Sequence, residues 1–427
     1  MLENLNISLN IFPAIFANLI FFLTSFFVGR IFFPKLVCRR HITGSLLSVM
    51  LGMNILCLLG LLLGRDFDSK LPVLACLLLF FAIFAIGFYS FKVWRLRLDC
   101  GMIPIFAICL LVFGRTICPP TSWDELTYQL AIPMRWLSGR GDEIFADNPY
   151  SAFPSLSGIA FRILMSNGGL LAPRVCVLVL FVISALSLNR IISVSCGKFA
   201  KIALMTAFCA SFPILMISAS AYSDIFILSN FAVAVLVAQE KEWIADKGEF
   251  ISLGIVCGIL AGAAASVKLT GLIIIPAVLL LLLSNRAPLW RNIVTPLFFL
   301  VAVFIFAGAF YARSLLITGN PFYPYFSWLF SSDPAILEMS RYHHAIGSEK
   351  YGILGIREFF LTPLLISLGI GPFDGLLGYQ YAIIVISSII VGWHLCRERT
   401  FFKFRFQVLI VAVLCYLFWF ISSRQVR

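Results

Sequence analysis

Runs of about 20 apolar residues, broken by short polar connectors, recur along nearly the whole chain. Each is long enough to cross a hydrocarbon core of roughly 30 Å as a helix. The pattern predicts about twelve spans, near 7–29, 44–63, 71–91, 101–115, 169–189, 199–219, 223–239, 250–266, 270–284, 292–312, 380–396 and 405–422. The fold class is therefore all-α, a polytopic transmembrane helical bundle, and no stretch remains for a soluble domain of independent size. The run from Ile7 to Gly29 has Glu3 and no basic residue before it, and no small-residue cleavage pattern after a short apolar core. It reads as a retained span rather than a signal peptide.

The polar connectors set the topology. Arg30, Lys35, Arg39 and Arg40 fall on one side of the predicted bundle, as do Lys92, Arg95 and Arg97, then Arg190, Lys198 and Lys201. Lys241 and Lys247, Arg286 and Arg291, and Arg397, Arg399, Lys403 and Arg405 join them. By the positive-inside rule that side is cytoplasmic. Two long loops, 116–168 and 313–379, and both chain ends then face the opposite compartment. This divides the chain into an N-terminal four-span segment, 1–115, and a region 116–427 that carries both loops. Phe359 to Ile370 is apolar but short and contains Pro363, so it reads as an interfacial or re-entrant helix.

Composition agrees with a membrane protein. Of the 427 residues, 61% are hydrophobic and 12% charged, where soluble domains carry about 25% charged residues. The net charge of +12 is spread over short connectors, so topology and anionic lipid headgroups account for it and no nucleic acid is implied. The twelve cysteines lie mostly within apolar runs without a C-x-x-C pair, which points to neither a disulfide framework nor zinc. His343 and His344 are adjacent and cannot form the i, i+4 pair of a helical metal site. No metal site or cofactor is read, and a divalent ion has no support.

Against this apolar background one outer-loop sequence stands out, Cys118-Pro-Pro-Thr-Ser-Trp-Asp-Glu-Leu-Thr-Tyr-Gln-Leu130. It sets Asp124 and Glu125 beside a span, where ionisable groups cost roughly 2.5 to 3.5 kcal/mol on insertion scales and are functional candidates by default. Leu126, Leu130, Met134 and Leu137 recur at helical spacing, which predicts an amphipathic helix lying on the membrane. Ser122 and Glu125 also fit a capping box, a structural use for Glu125. Asp124 and Tyr128, four apart, share a face.

Further along, Asp147-Asn-Pro-Tyr-Ser-Ala-Phe-Pro154 reads either as the frame of a sugar or peptide-like acceptor site or as a plain turn-rich loop. Asp224 falls at an outer turn, either as a site acid or as the cap of the next helix. Lys268 breaks an apolar stretch too long for one span, at a predicted outer turn, and suits either an anionic headgroup or simple snorkelling. Arg313 and Arg427 end spans on the same side.

Together the Trp-Asp-Glu-Leu-Thr-Tyr stretch, Asp224, Ala265-Ser-Val-Lys-Leu-Thr-Gly271, Gly319-Asn-Pro-Phe-Tyr-Pro324 and Ser423-Arg-Gln-Val-Arg427 resemble, in order and side, elements of the GT-C glycosyltransferase superfamily. That superfamily includes protein O-mannosyltransferases and aminoarabinose transferases. The resemblance implies a polyprenyl-phosphate sugar donor, a lipid, glycan or protein acceptor, and a site facing the periplasm or exterior of a bacterial inner membrane. It makes Asp124 the catalytic base, with Glu125 beside it, and Lys268 a phosphate contact. Tyr128, Asp224, Arg313 and Arg427 become candidate substrate contacts. It departs from many members in having four spans before the catalytic loop and Gln129 where related bacterial sequences often carry His.

The expected reaction is inverting sugar transfer at the non-cytoplasmic face. The alternative is a transporter or lipid flippase, for which a broken helix around Lys268 would hold substrate or ions. Transporters usually place such groups at the midplane of internal repeats, and no repeat is visible here.

Overall fold

Where the structure is described, the apolar runs fold as helices. In the computed structural model the described residues are 11–32, 41–64, 68, 99–140, 145, 147–194, 196–239, 247–283, 289–331, 334, 337–338, 341, 355–370, 376–379, 381–383, 386–387 and 404–422. They form α1 (Ile11–Phe32), α2 (His41–Leu63), α3 (Met102–Thr116), α4 (Leu156–Gly168) and α5 (Ala172–Ser193). The chain continues through α6 (Lys198–Cys209), α7 (Phe212–Ser218), α8 (Asp224–Gln239) and α9 (Lys247–Val267). It then forms α10 (Ile274–Leu282), α11 (Leu289–Thr318), α12 (Ile356–Leu368) and α13 (Phe404–Ser422).

Among the described residues five helices are long and apolar enough to cross a membrane, or six if a bent pair counts as one span. Four shorter apolar helices, Met102–Thr116, Asp224–Gln239, Leu269–Leu282 and Phe406–Ile421, lie at further predicted spans. The predicted span 71–91 and most of 380–396 lie outside the described residues, as do His343, His344 and Arg427. The protein is thus a helical protein with the makings of a membrane bundle.

Two local departures from the sequence pattern have clear causes. The predicted span 199–219 is bent by 61° between α6 and α7, because Pro213 in the first turn of α7 cannot donate to the preceding turn and is accommodated only at a helix start. The predicted amphipathic stripe of Leu126, Leu130, Met134 and Leu137 does not form one solvent or lipid face. The 125–140 segment is a broken helix with a wide turn at each end. Leu126 is exposed and Leu130 buried, while the inward side carries Glu125, Gln129, Ile132 and Trp136. Two polar residues on the buried side disguise it as the wet one.

α4 is the larger departure, since it lies within the predicted outer loop yet belongs to the core. All its residues except Ser166 and Asn167 are buried, packed against α1, α2 and α5. At its middle Arg162, fully buried, donates from Nε to Asp68 Oδ2 at 2.8 Å and from Nη2 to the carbonyls of Gly60 and Gly64 at 2.8 and 3.1 Å. Taking such a charge out of water is tolerable only with this full set of acceptors.

α9 and α11 pack closely through Gly254, Gly258 and Gly262. A Cβ at Gly258 would stand 2.4 Å from the Phe299 carbonyl oxygen and one at Gly254 2.5 Å from that of Thr295. Small residues four apart let two backbones approach in this way, which is how helices associate where no hydrophobic force separates them from lipid. The contact fixes the end of α9, and so the position of Lys268.

Candidate functional site

The site is built from the first loop, the N-termini of α5 and α8, and the break at Lys268 after α9. The first loop is held there by Glu125. Its carboxylate, fully buried, accepts the Ala221 amide at 2.6 Å and lies 3.1 Å from Arg174 Nε. The second oxygen takes the Ser122 amide at 3.4 Å, the backward half of the expected capping box. Arg174 also donates to the Cys118 carbonyl. Ser122 Oγ, instead of capping, meets Ser220 Oγ at 3.4 Å, and Gln129 Nε2 donates to Ser223 Oγ at 2.9 Å. These contacts join the first loop to α5 and to the turn before α8.

With the loop so placed, Asp124 and Asp224 each stand one hydrogen bond behind a cleft. Tyr128 donates to Asp124 Oδ2 at 3.0 Å, and Lys268 Nζ donates to Asp224 Oδ1 at 2.5 Å. Asp124 is 3% exposed, whereas the Lys268 and Asp224 side chains retain 25% and 22%. Asp224 is the first residue of α8, and its carboxylate takes the Lys268 ammonium. The lysine occupies the predicted break, an extended residue between α9 and a 3₁₀ turn, Leu269–Ile273. Gly271 in that turn presses on α9, a Cβ there meeting the Ala264 carbonyl oxygen at 2.0 Å.

Tyr128, Gln129, Ile132, Tyr150, Phe153, Pro154, Ser155, Ser157, Ser223, Val267 and Lys268 line the cleft, which holds about 420 Å³ counting its open mouth. One wall is aromatic: Tyr128 stacks on Tyr150 with ring centres 4.4 Å apart, and Phe153 meets Tyr150 edge-on. The other wall carries hydroxyls and the lysine. The 147–154 loop thus contributes Tyr150, Phe153 and Pro154 to the cleft. Asp147 itself turns away to a two-pronged pair with Arg135 at 2.9 and 3.0 Å.

Arg313 stands behind the aromatic wall. Its Nη1 donates to the Ser151 carbonyl at 3.1 Å and its guanidinium lies over the Trp136 ring, 5.2 Å from its centre, so it braces the loop that carries Tyr150 and Phe153. Sequence reasoning passed over Arg174, Ser155 and Ser157. Arg174 did leave a signal, as a lone cation inside a predicted span. Ser155 left one too, a capping residue followed by an apolar run.

Chemically the cleft pairs a cation and hydroxyls, suited to an anionic or polyhydroxyl ligand, with an aromatic wall and a carboxylate held behind a phenol. Among the described residues no group of three or more His, Cys, Asp or Glu side chains is placed to hold a metal ion. No curated protein and no solved structure matches the chain. Residues 151–427 match a family described as a domain of unknown function (DUF8201), a stretch that takes in Asp224, Lys268, Arg313 and most of the cleft's second wall. The match covers more than half of the chain, and the protein belongs to that family.

Proposed function

We propose that the protein is a membrane glycosyltransferase of GT-C type that moves a sugar from a polyprenyl-phosphate donor to an acceptor at the non-cytoplasmic face. The observation that carries this reading is the cleft itself, with Asp124 behind Tyr128 on one side and the Lys268–Asp224 pair on the other. In the reaction the acceptor hydroxyl or amine takes the place of the Tyr128 hydroxyl on Asp124 Oδ2. Asp124 accepts its proton as the new bond to the anomeric carbon forms. The bond from that carbon to the donor phosphate breaks, and its electron pair leaves on the phosphate. Lys268 stabilises that charge, and Asp224 orients the lysine. A positioned base contributes about 10² to 10⁴-fold. Glu125 holds the loop in place, and its full set of contacts supports that role better than proton transfer.

Support is chemical and geometric. The acid and the phenol come from the first loop and the lysine from a stretch about 140 residues further on, yet they meet at one cleft, and the cost of burying Asp124 beside a bilayer calls for a use. A transporter would use the same Lys268 break. Reconstitution into vesicles with a polyprenyl-phosphate sugar separates the two: the proposal expects a glycosylated product, while flux of the lipid without product would replace it with transport.

A further inference from the structure

The N-terminus of α4 opens into the cleft. Ser155 is its cap, accepting the Gly158 amide on Oγ at 3.1 Å. Gly158 makes room for this contact, since a Cβ there would meet Ser155 Oγ at 2.2 Å and the Trp136 ring at 3.2 Å. The cap uses one amide. The Leu156 and Ser157 amides belong to the first turn, where a helix offers no internal acceptor. Around them α4 is packed in protein, so the positive end of its dipole is poorly screened except toward the cleft.

Ser157 supplies a second and independent sign. It is 2% exposed and lines the cleft, yet makes no hydrogen bond to any described residue. A buried hydroxyl ordinarily finds a partner. Lys268, on the same lining, spends one Nζ hydrogen on Asp224 and has two more to give.

We propose that the first turn of α4, with the hydroxyls of Ser155 and Ser157 and with Lys268, is a phosphate-binding cradle. This deepens the glycosyltransferase reading and rests on it in one respect, that the phosphate is the donor lipid's. The cradle seats the phosphate on the hydroxyl wall, and the attached sugar then extends toward Tyr128 and Tyr150. The nearest acids are already engaged, Asp224 by Lys268 and Asp124 by Tyr128.

The test uses the whole protein in phosphatidylcholine nanodiscs, with a polyprenyl monophosphate and inorganic phosphate as separate probes. Ser155→Asp keeps a good helix cap, so the thermal midpoint should hold, but it sets a negative charge in the cradle. Polyprenyl phosphate should bind it roughly tenfold or more weakly, and Ser157→Ala roughly fivefold more weakly. Unchanged binding of polyprenyl phosphate by both variants would overturn the cradle and leave the donor reading standing. Binding of inorganic phosphate alone, lost in Ser155→Asp, would uphold the cradle and overturn the lipid donor. Binding of neither probe by the wild-type protein would overturn both.

Discussion

Tyr128 holds Asp124 through its hydroxyl, 3.0 Å from Oδ2, while its ring stacks on Tyr150. The acid is therefore presented to the cleft through a side chain that a substrate hydroxyl can replace. Tyr128→Phe keeps the stack and removes only the hydroxyl. Initial rates of transfer should fall less than about tenfold, against at least about a hundredfold for Asp124→Asn. Equal losses in the two variants would assign the proton transfer to the phenol.

The Glu125–Arg174 pair is buried on both sides, and breaking such a pair leaves a charge without compensation. Arg174→Met should lower stability by about 3–5 kcal/mol. Glu125→Gln combined with Arg174→Met should recover part of that loss, because contacting residues are not additive. Unfolding in detergent across the single and double variants measures the coupling.

At the α9–α11 contact, Gly258→Ile forces side-chain atoms against the backbone of Phe299. The expected cost is about 1–3 kcal/mol or more. Gly308→Ala, on α11 with nothing within 4 Å of its added carbon, is the control and should leave the thermal midpoint nearly unchanged.

At the opposite helix ends Lys201 on α6 donates to Asp99, just before α3, and this bond holds the Asp99 carboxyl down to about 2 from an ordinary 3.8. Because the folded value is depressed, the stabilisation is present above pH 3.8 and is lost as pH falls through the range down to about 2. Thermal midpoints from pH 6 to about 2 should show Asp99→Asn with a shallower acid slope than the wild type.

Five of the predicted spans were legible as long apolar helices, because a run of about twenty apolar residues suits a helix in a bilayer. The gathering of Asp124, Asp224 and Lys268 about one cleft agrees with the expectation drawn from the order of the apolar runs. α4 was not legible: thirteen residues with Arg162 at the centre read as loop, and nothing local tells that Asp68 and two carbonyls of the α2 terminus await that arginine. The inward side of the 125–140 segment was hidden for a related reason. Glu125 and Gln129 are buried by partners, Arg174, Ala221 and Ser223, that lie far along the chain. The spacing of Gly254, Gly258 and Gly262 is plain in the sequence, yet only the fold says that α11 fills it.

The central claim is that this cleft releases a lipid phosphate by sugar transfer with Asp124 as base. Its most direct measurement needs no knowledge of the sugar: purified protein is given a mixed pool of polyprenyl-phosphate monosaccharides with a membrane extract as acceptor source, and free polyprenyl phosphate is followed by mass spectrometry. The account predicts release by the wild-type protein and background release by Asp124→Asn of equal thermal stability. Equal release by the two proteins, or none by either, would contradict it.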